Sequence, residues 1–332
     1  MEFRVLVLAY ANFEQGEWHS DYKAGLRWKA SIQYLEVLKY DKRIILQKST
    51  VLFMTTYTRA QISEHIIQVL EDQKPMLLQQ FKNTSGAIGY FFVDNVLPED
   101  LAMHIENNFP SPEEMRLKKS LKEFKRVGAQ MDTYAEILEE TIYAFQHPKI
   151  VQFISEICGY VNVTPDEHLY AGGLSLMEKG NFLNPHLDNS HDKDRNLWRV
   201  LNLLYYVNPD WTLENGGNLE LWPNGIKEEP ITIVSKFNRL VVMATHEGSW
   251  HSVSKVTSAQ ARRCISNYYF SDTPIRATDT FHVTTFRARP GEFLKNSVLQ
   301  LDSTLRMGIR KIFKKGIVEN PHVYKKDKDH QK

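Results

Sequence analysis

From Tyr170 to Phe270 the chain alternates short apolar or every-second-residue apolar runs with turn-forming clusters at Asn208-Pro209-Asp210, Asn215-Gly216-Gly217 and Pro223-Asn224-Gly225. A spacing of two marks one buried face of a strand, and Gly, Asn and Pro supply the backbone conformations that turns need. Many short strands with such punctuation predict a β-sandwich or barrel. The flanks have a longer period. Ile62, Ile66, Ile67 and Leu70 fall on one face of a helix predicted over Thr58 to Gln73. Ile88 to Val93 reads as a strand ending at Asp94-Asn95, and Pro98-Glu99-Asp100 opens a helix carrying Leu101, Met103 and Ile105, with Phe109 beyond. Tyr134 to Phe145 and Lys149 to Cys158 read as amphipathic helices split by Pro148, with Gly159 as the stop. A last helix is predicted over Phe293 to Phe313, where Leu294, Val298, Leu301, Leu305, Ile309 and Ile312 form one apolar stripe expected to pack on the barrel.

Residues 1 to 53 hold strand-like pieces, Arg4 to Ala9 and Ile44 to Phe53, around a polar middle with Trp18 and Trp28, and no chemical motif. Met54 stands just before the first helix, so a natural start is expected there. The expected organisation is an N-terminal extension (1–53), a helical bracing region with a leading strand (54–160), a β core (161–280) and a C-terminal amphipathic helix with a basic end (281–332).

Composition narrows the class without naming a chemistry. The chain has 332 residues and a formal net charge of +1, with a pI near 7.8. These values describe an ordinary soluble globular protein with no nucleic-acid signature. Its two cysteines, Cys158 and Cys264, form neither a disulfide framework nor a Cys-x-x-Cys motif, which fits a reducing cytoplasm. The opening apolar run lacks a cationic lead, and no apolar stretch reaches the ~20 residues that span a bilayer. A basic cluster, Lys311, Lys314, Lys315, Lys325 and Lys326, ends the chain. It is read as a solvated charged end or as a contact for an anionic partner.

Chemistry enters at His186-Leu187-Asp188. On an extended strand residues two apart share a face, so His186 and Asp188 can share one small cation. A distant third histidine would complete the set; His251, His246 and His191 are the candidates. Two imidazoles and one carboxylate on one face of an octahedral ion leave three positions open for other ligands, the arrangement of non-haem Fe(II) oxygenases. Farther on, Arg262-Arg263 offers a guanidinium fork for a carboxylate. Strand alternation turns only one of the two inward.

In order, the triplet, RVLNLLYYVN (Arg199 to Asn208), GGNLELW (Gly216 to Trp222), the apolar run Phe237 to Ala244, WHSV (Trp250 to Val253) and RRCISNYYF (Arg262 to Phe270) resemble the prolyl 4-hydroxylase-like branch of the Fe(II)/2-oxoglutarate dioxygenases. The resemblance spans roughly Gly86 to Pro274. It implies a mainly β fold with flanking helices around a double-stranded β-helix, or jelly-roll, core. It implies His186, Asp188 and His251 as catalytic iron ligands, with His251 chosen by the Trp-His-Ser-Val string. Arg262 and Tyr206 are implied as the 2-oxoglutarate binders, Arg262 being selected by matching Tyr268-Tyr269-Phe270 to the aromatic end of the family strand. Some branches have Arg-x-Ser where this chain has Arg262-Arg263-Cys264, which leaves the register to be tested. Tyr205 is expected in the core, Asn202 either in the pocket or facing out, and Trp222 in rim packing. Molecular oxygen, Fe(II), 2-oxoglutarate and ascorbate as reductant complete the implied chemistry, with hydroxylation of peptidyl proline or a small metabolite as the outcome. A non-catalytic jelly-roll binding protein and a cupin-type metalloenzyme are the competing readings.

Overall fold

The computed structural model describes residues 57–312 and 323–324, all within one compact unit, Tyr57–Lys332. The expectations for residues 1 to 53, for a start at Met54 and for the basic cluster lie outside the described residues. In chain order the elements are α1 (Arg59–Asp72), α2 (Lys74–Thr84), β1 (Tyr90–Asp94), α3 (Glu99–Asn107), β2 (Arg116–Lys119), β3 (Glu123–Gly128), α4 (Glu136–Ala144) and α5 (Pro148–Cys158). Then come β4 (Val163–Pro165), β5 (Gly173–Met177), β6 (Phe182–Leu187), β7 (Trp198–Tyr206), β8 (Leu219–Leu221), β9 (Ile231–Ile233), β10 (Arg239–Ala244), β11 (His251–Val253), β12 (Arg262–Ser271), β13 (Thr285–Phe286) and α6 (Phe293–Ile312).

The strands β5 to β12 divide equally between two ribbons. One runs β5-β12-β7-β10 and the other β6-β11-β8-β9, with β3 bridging β5 and β6. Each recorded pairing is antiparallel. Eight strands shared in this way between two facing ribbons make a jelly-roll, curled here into a half-barrel with flanking helices. β1 adds an outer strand to β10, β4 pairs with β12 and β13 with β6.

Strand periodicity sorts the side chains into two cores. Along β7, Leu201, Leu203 and Tyr205 join Leu240 and Val242 of β10 and Ile265 and Tyr269 of β12 in a cluster with Ile62, Ile66 and Leu70 of α1, Leu138 and Ile142 of α4, and Ile150 and Ile154 of α5. The intervening Leu204 and Tyr206 turn into the barrel, with Val241, Met243, Cys264, Leu219 and Leu221. The helices thus brace one face of one ribbon and leave the other face as the barrel lining.

Local signals set the helix ends. Thr58 caps α1 with a full capping box through Gln61. Pro148 occupies the first turn of α5, where its missing N–H costs nothing, and Gly159 ends that helix at φ 72°. The sequence reading missed α2 and the β2–β3 hairpin. Arg116–Lys119 and Glu123–Gly128 are largely polar and show no buried alternation, so only pairing to β5 and β6 reveals β3 as a strand.

The C-terminal helix forms as predicted but lies the other way round. Leu294, Val298, Leu301, Leu305 and Ile309 are exposed, while Leu299 and Ser303 are buried. On the inward side Asp302 pairs with Lys122 at 2.6 Å and, within the helix, with Arg306 at 2.9 Å. Arg306 Nη2 also donates to the Thr284 carbonyl at 2.7 Å.

Candidate metal and co-substrate site

His186 lies near the end of β6, Asp188 follows it, and His251 opens the neighbouring strand β11. His251 and His186 are direct cross-strand partners, so both rings leave the same face of the sheet, with centroids 4.1 Å apart. Farther along, Val253 lies opposite Leu183, so β6 spends one more residue than β11 over this stretch. Such a bulge bends a strand and re-aims its side chains. The Asp188 carboxylate closes a triangle, Oδ1 3.7 Å from His186 Nε2 and Oδ2 3.6 Å from His251 Nε2. One donor atom from each residue lies within 4.8 Å of the others.

Each ring is fixed through its other nitrogen. Nδ1 of His186 is 3.0 Å from the Asn184 carbonyl, and Nδ1 of His251 is 2.9 Å from the Ser249 carbonyl. A carbonyl only accepts, so a neutral ring must protonate Nδ1 and keep the Nε2 lone pair for the shared point. Burial pushes His186 down to about 3, the adjacent His251 adds to this, and Asp188 opposes it. Burial alone would raise Asp188, but His251, Arg199 and His186 outweigh it and hold the carboxyl down at about 2. At neutral pH the pair is therefore imidazole and carboxylate, the forms that bind a cation. Asp188 Oδ2 is buried without a hydrogen-bond partner, so a cation fits where the protein leaves an acceptor unsatisfied.

On β12, Arg262 precedes Cys264 by two residues and so shares its inward face. It is 3% exposed. Its Nε donates to Ser235 Oγ at 3.2 Å, Nη1 lies 3.7 Å from Met177 Sδ, and its guanidinium stands 4.9 Å from the Tyr206 ring centroid. Among the described residues no carboxylate pairs with it. Arg263 points outward instead, and its Nη1 pairs with Glu106 of α3 at 3.1 Å. The Tyr206 hydroxyl is buried beside Ser235 and Arg262, without well-formed hydrogen-bond geometry to either. Burial raises it to about 12 against the pull of Arg262, so it remains a neutral donor. An unpaired buried guanidinium beside an unsatisfied hydroxyl is costly unless an anion arrives. Space is kept by Gly217, where a Cβ would meet Val256 Cγ2 at 2.9 Å and Arg262 Cδ at 3.1 Å, and whose φ is +60°.

The remaining candidates are accounted for. Tyr205 turns to the outer core and donates to Asn238 Oδ1 at 2.9 Å. Asn202 faces inward and donates to Tyr268 Oη at 3.2 Å. Trp222 is buried in the wall, with Nε1 donating to Ser252 Oγ at 2.8 Å. His191 packs on the Phe281 ring at 4.6 Å, and His246 accepts the Gly248 N–H; neither joins the cluster.

Two neighbours escaped the sequence reading. Arg199, buried at the start of β7, has Nη1 3.6 Å from Asp188 Oδ1 and stacks over Tyr268 at 4.3 Å. An arginine opening an otherwise apolar strand was its one visible signal. Phe286 of β13 stacks on His186, centroids 5.1 Å apart at 16°, and no local pattern marks it. A groove of about 510 Å³ lined by Leu78, Lys82, Glu156, Tyr160 and Arg276 contains none of the site residues.

A jelly-roll that gathers two imidazoles and a carboxylate on one ribbon, with an arginine buried in the same barrel, has the donor set that non-haem Fe(II) oxygenases use. Residues 172–271, which span most of the barrel core, match the family model of the 2OG-Fe(II) oxygenase superfamily. Among solved structures the chain is similar to a Trichoplax adhaerens prolyl hydroxylase in complex with a hypoxia-inducible-factor peptide fragment, at 17% identity over 60% of this chain and 92% of that one, TM-score 0.43. It is similar to a Pseudomonas putida prolyl-4-hydroxylase at 16% identity, over 59% and 99% of the two chains, TM-score 0.43. A Phytophthora capsici prolyl 4-hydroxylase is similar at 15% identity, over 78% and 81%, TM-score 0.47. No curated protein matches the sequence.

Proposed function

We propose that the protein is an Fe(II)- and 2-oxoglutarate-dependent dioxygenase that hydroxylates an unactivated C–H bond of a peptidyl proline or a small metabolite. One observation carries this reading: Arg262, buried with no acidic partner among the described residues, stands in the same barrel as the His186, Asp188 and His251 donors. A metal-binding cupin hydrolase or isomerase has no use for that arginine. In this reading the three donors hold Fe(II), while Arg262 and Tyr206 receive the remote carboxylate of 2-oxoglutarate through charge-assisted and neutral hydrogen bonds. Bound Fe(II) and 2-oxoglutarate supply an oxidative decarboxylation that consumes oxygen, yields succinate and CO2 and drives the hydroxylation.

The chain's own residues do the positioning. The Asn184 and Ser249 carbonyls fix the two rings, Arg199 holds Asp188 ionised and oriented, and Phe286 shields His186 from water. Asp188 fills the position that a halide would need, which favours hydroxylation over halogenation. Ascorbate as reductant and a cytoplasmic location belong to the same proposal. Cys158 and Cys264, both buried free thiols, fit a reducing compartment.

Anaerobic addition of Fe(II) and then 2-oxoglutarate to the purified protein tests the assignment. A weak visible charge-transfer band, lost in His186→Ala, is the expected result. Absence of that band in folded wild-type protein would sink the proposal.

A further inference from the structure

Helix α6 presents an inverted surface. Between residues 293 and 310 its exposed positions carry no charge, whereas Lys295, Asp302, Arg306 and Arg310 are all half-buried. Phe293 is 82% exposed, Leu294 88%, Val298 53%, Leu301 62%, Leu305 60% and Ile309 40%. The apolar positions 294, 298, 301 and 305 step by four and three residues, and the same rhythm continues through Gly308 to Ile312. That spacing is the seam along which one helix packs against another. Among the described residues a Cβ at Gly308 would meet nothing within 4 Å, so their packing gives no reason for a glycine that weakens the helix. A second backbone approaching the seam does.

We propose that the protein is a two-fold homodimer in which α6 of one copy packs along α6 of the other. The exposed stripe is large enough. At roughly 180 Å² for a large apolar side chain, the stripe residues Leu294, Val298, Leu301, Leu305 and Ile309 expose on the order of 550 Å² per copy, so two copies together can bury up to about 1,100 Å², just above the ~1,000 Å² that a specific interface needs. Monomers rarely leave a patch of that size in water. Its charge pattern selects the partner. A two-fold contact brings each surface against itself, and a face without charge meets its copy without like-charge repulsion. A helix that lies on anionic lipid flanks its apolar face with free cations; within residues 293–306 the cations are paired instead, Lys295 with Glu292 and Arg306 with Asp302. The opposite face of α6 is anchored, through Leu299 and the Arg306 hydrogen bond to Thr284, so the seam is held in place for such a contact.

Sedimentation equilibrium of the full chain over the micromolar range tests this. A dimer is expected for the wild-type protein. The double substitution Leu301→Glu and Leu305→Glu should raise the dimer dissociation constant by at least about 100-fold while leaving the far-ultraviolet circular dichroism unchanged. If the glutamates disturb folding, Leu301→Ala with Leu305→Ala gives the same readout in milder form. Leu301→Cys should cross-link to its copy or to a nearby seam position introduced the same way. A monomeric wild-type protein overturns the proposal, as does a dimer that survives both double substitutions. Co-flotation of a monomer with phosphatidylserine vesicles that the glutamates abolish would assign the stripe to lipid and overturn it too.

Discussion

Asp188 and Arg262 concentrate what single residues contribute. Asp188 is a largely buried carboxylate kept ionised by three neighbours, with one buried oxygen left unsatisfied. Asp188→Ala removes the oxygen donor and leaves Arg199 without its acidic neighbour, so turnover should fall by at least ~100-fold while the circular dichroism stays native. Coupled succinate formation measures it. Arg262→Ala should raise the 2-oxoglutarate requirement roughly 100-fold, the size expected from about 3 kcal/mol of charge-assisted hydrogen bonding. Arg263→Ala should leave that requirement unchanged and cost about 1 kcal/mol, because it breaks the partly exposed pair with Glu106 and a long hydrogen bond to the Ala261 carbonyl. Titration of the charge-transfer band with 2-oxoglutarate distinguishes the two; the reverse pattern would put the inward face one residue out of register.

Strand pairing decides which side chains meet. His186 and His251 are 65 residues apart in the chain and become cross-strand partners only because β11 pairs with β6. The bulge between them and the Val253–Leu183 pair shifts the phase of β6, so the alternation read from sequence holds on one side of it only. β13 adds the Phe286 ring to the same wall. Phe286→Ala should destabilise the fold by about 3–5 kcal/mol, since a buried aromatic is lost, and should weaken Fe(II) binding by exposing His186. Urea unfolding and metal titration of one preparation separate these effects. The Gly216–Gly217 turn was legible as a turn, but its closeness to Arg262 was not. Gly217→Ala should therefore weaken 2-oxoglutarate binding more than it weakens metal binding.

At the scale of the molecule, three buried histidines link stability to pH. His186 and His191 are pushed down to about 3 and His246 to about 4, in each case first by burial. In the unfolded chain each takes a proton near its ordinary value of about 6.5, while the native state refuses it until far lower pH. The unfolded state then binds more protons, and stability falls as pH drops through the range from about 6.5 to about 4, by about 1.4 kcal/mol per pH unit for each histidine. Above about pH 7 this contribution is constant. Denaturant midpoints of metal-free protein between about pH 7 and pH 5 should decrease accordingly, and a flat profile would contradict the buried, neutral assignment.

The order of apolar runs and turns already specified strands between Tyr170 and Phe270 and helices on either side, because period two and period 3.6 are local properties of the chain. His186-Leu187-Asp188 was visible for the same reason. Tertiary structure chose among residues whose local patterns were equivalent. Among the three candidate histidines it brought His251 into the cluster, because only that one sits opposite His186 across a strand pair. It turned Arg262 in and Arg263 out, because the pairing of β12 with β5 and β7 fixed the phase of the strand. It also set the orientation of α6. Periodicity states that a helix has an apolar face but not what that face meets, and in the fold α6 buries Leu299 and Ser303 while the stripe through Leu301 and Leu305 faces out.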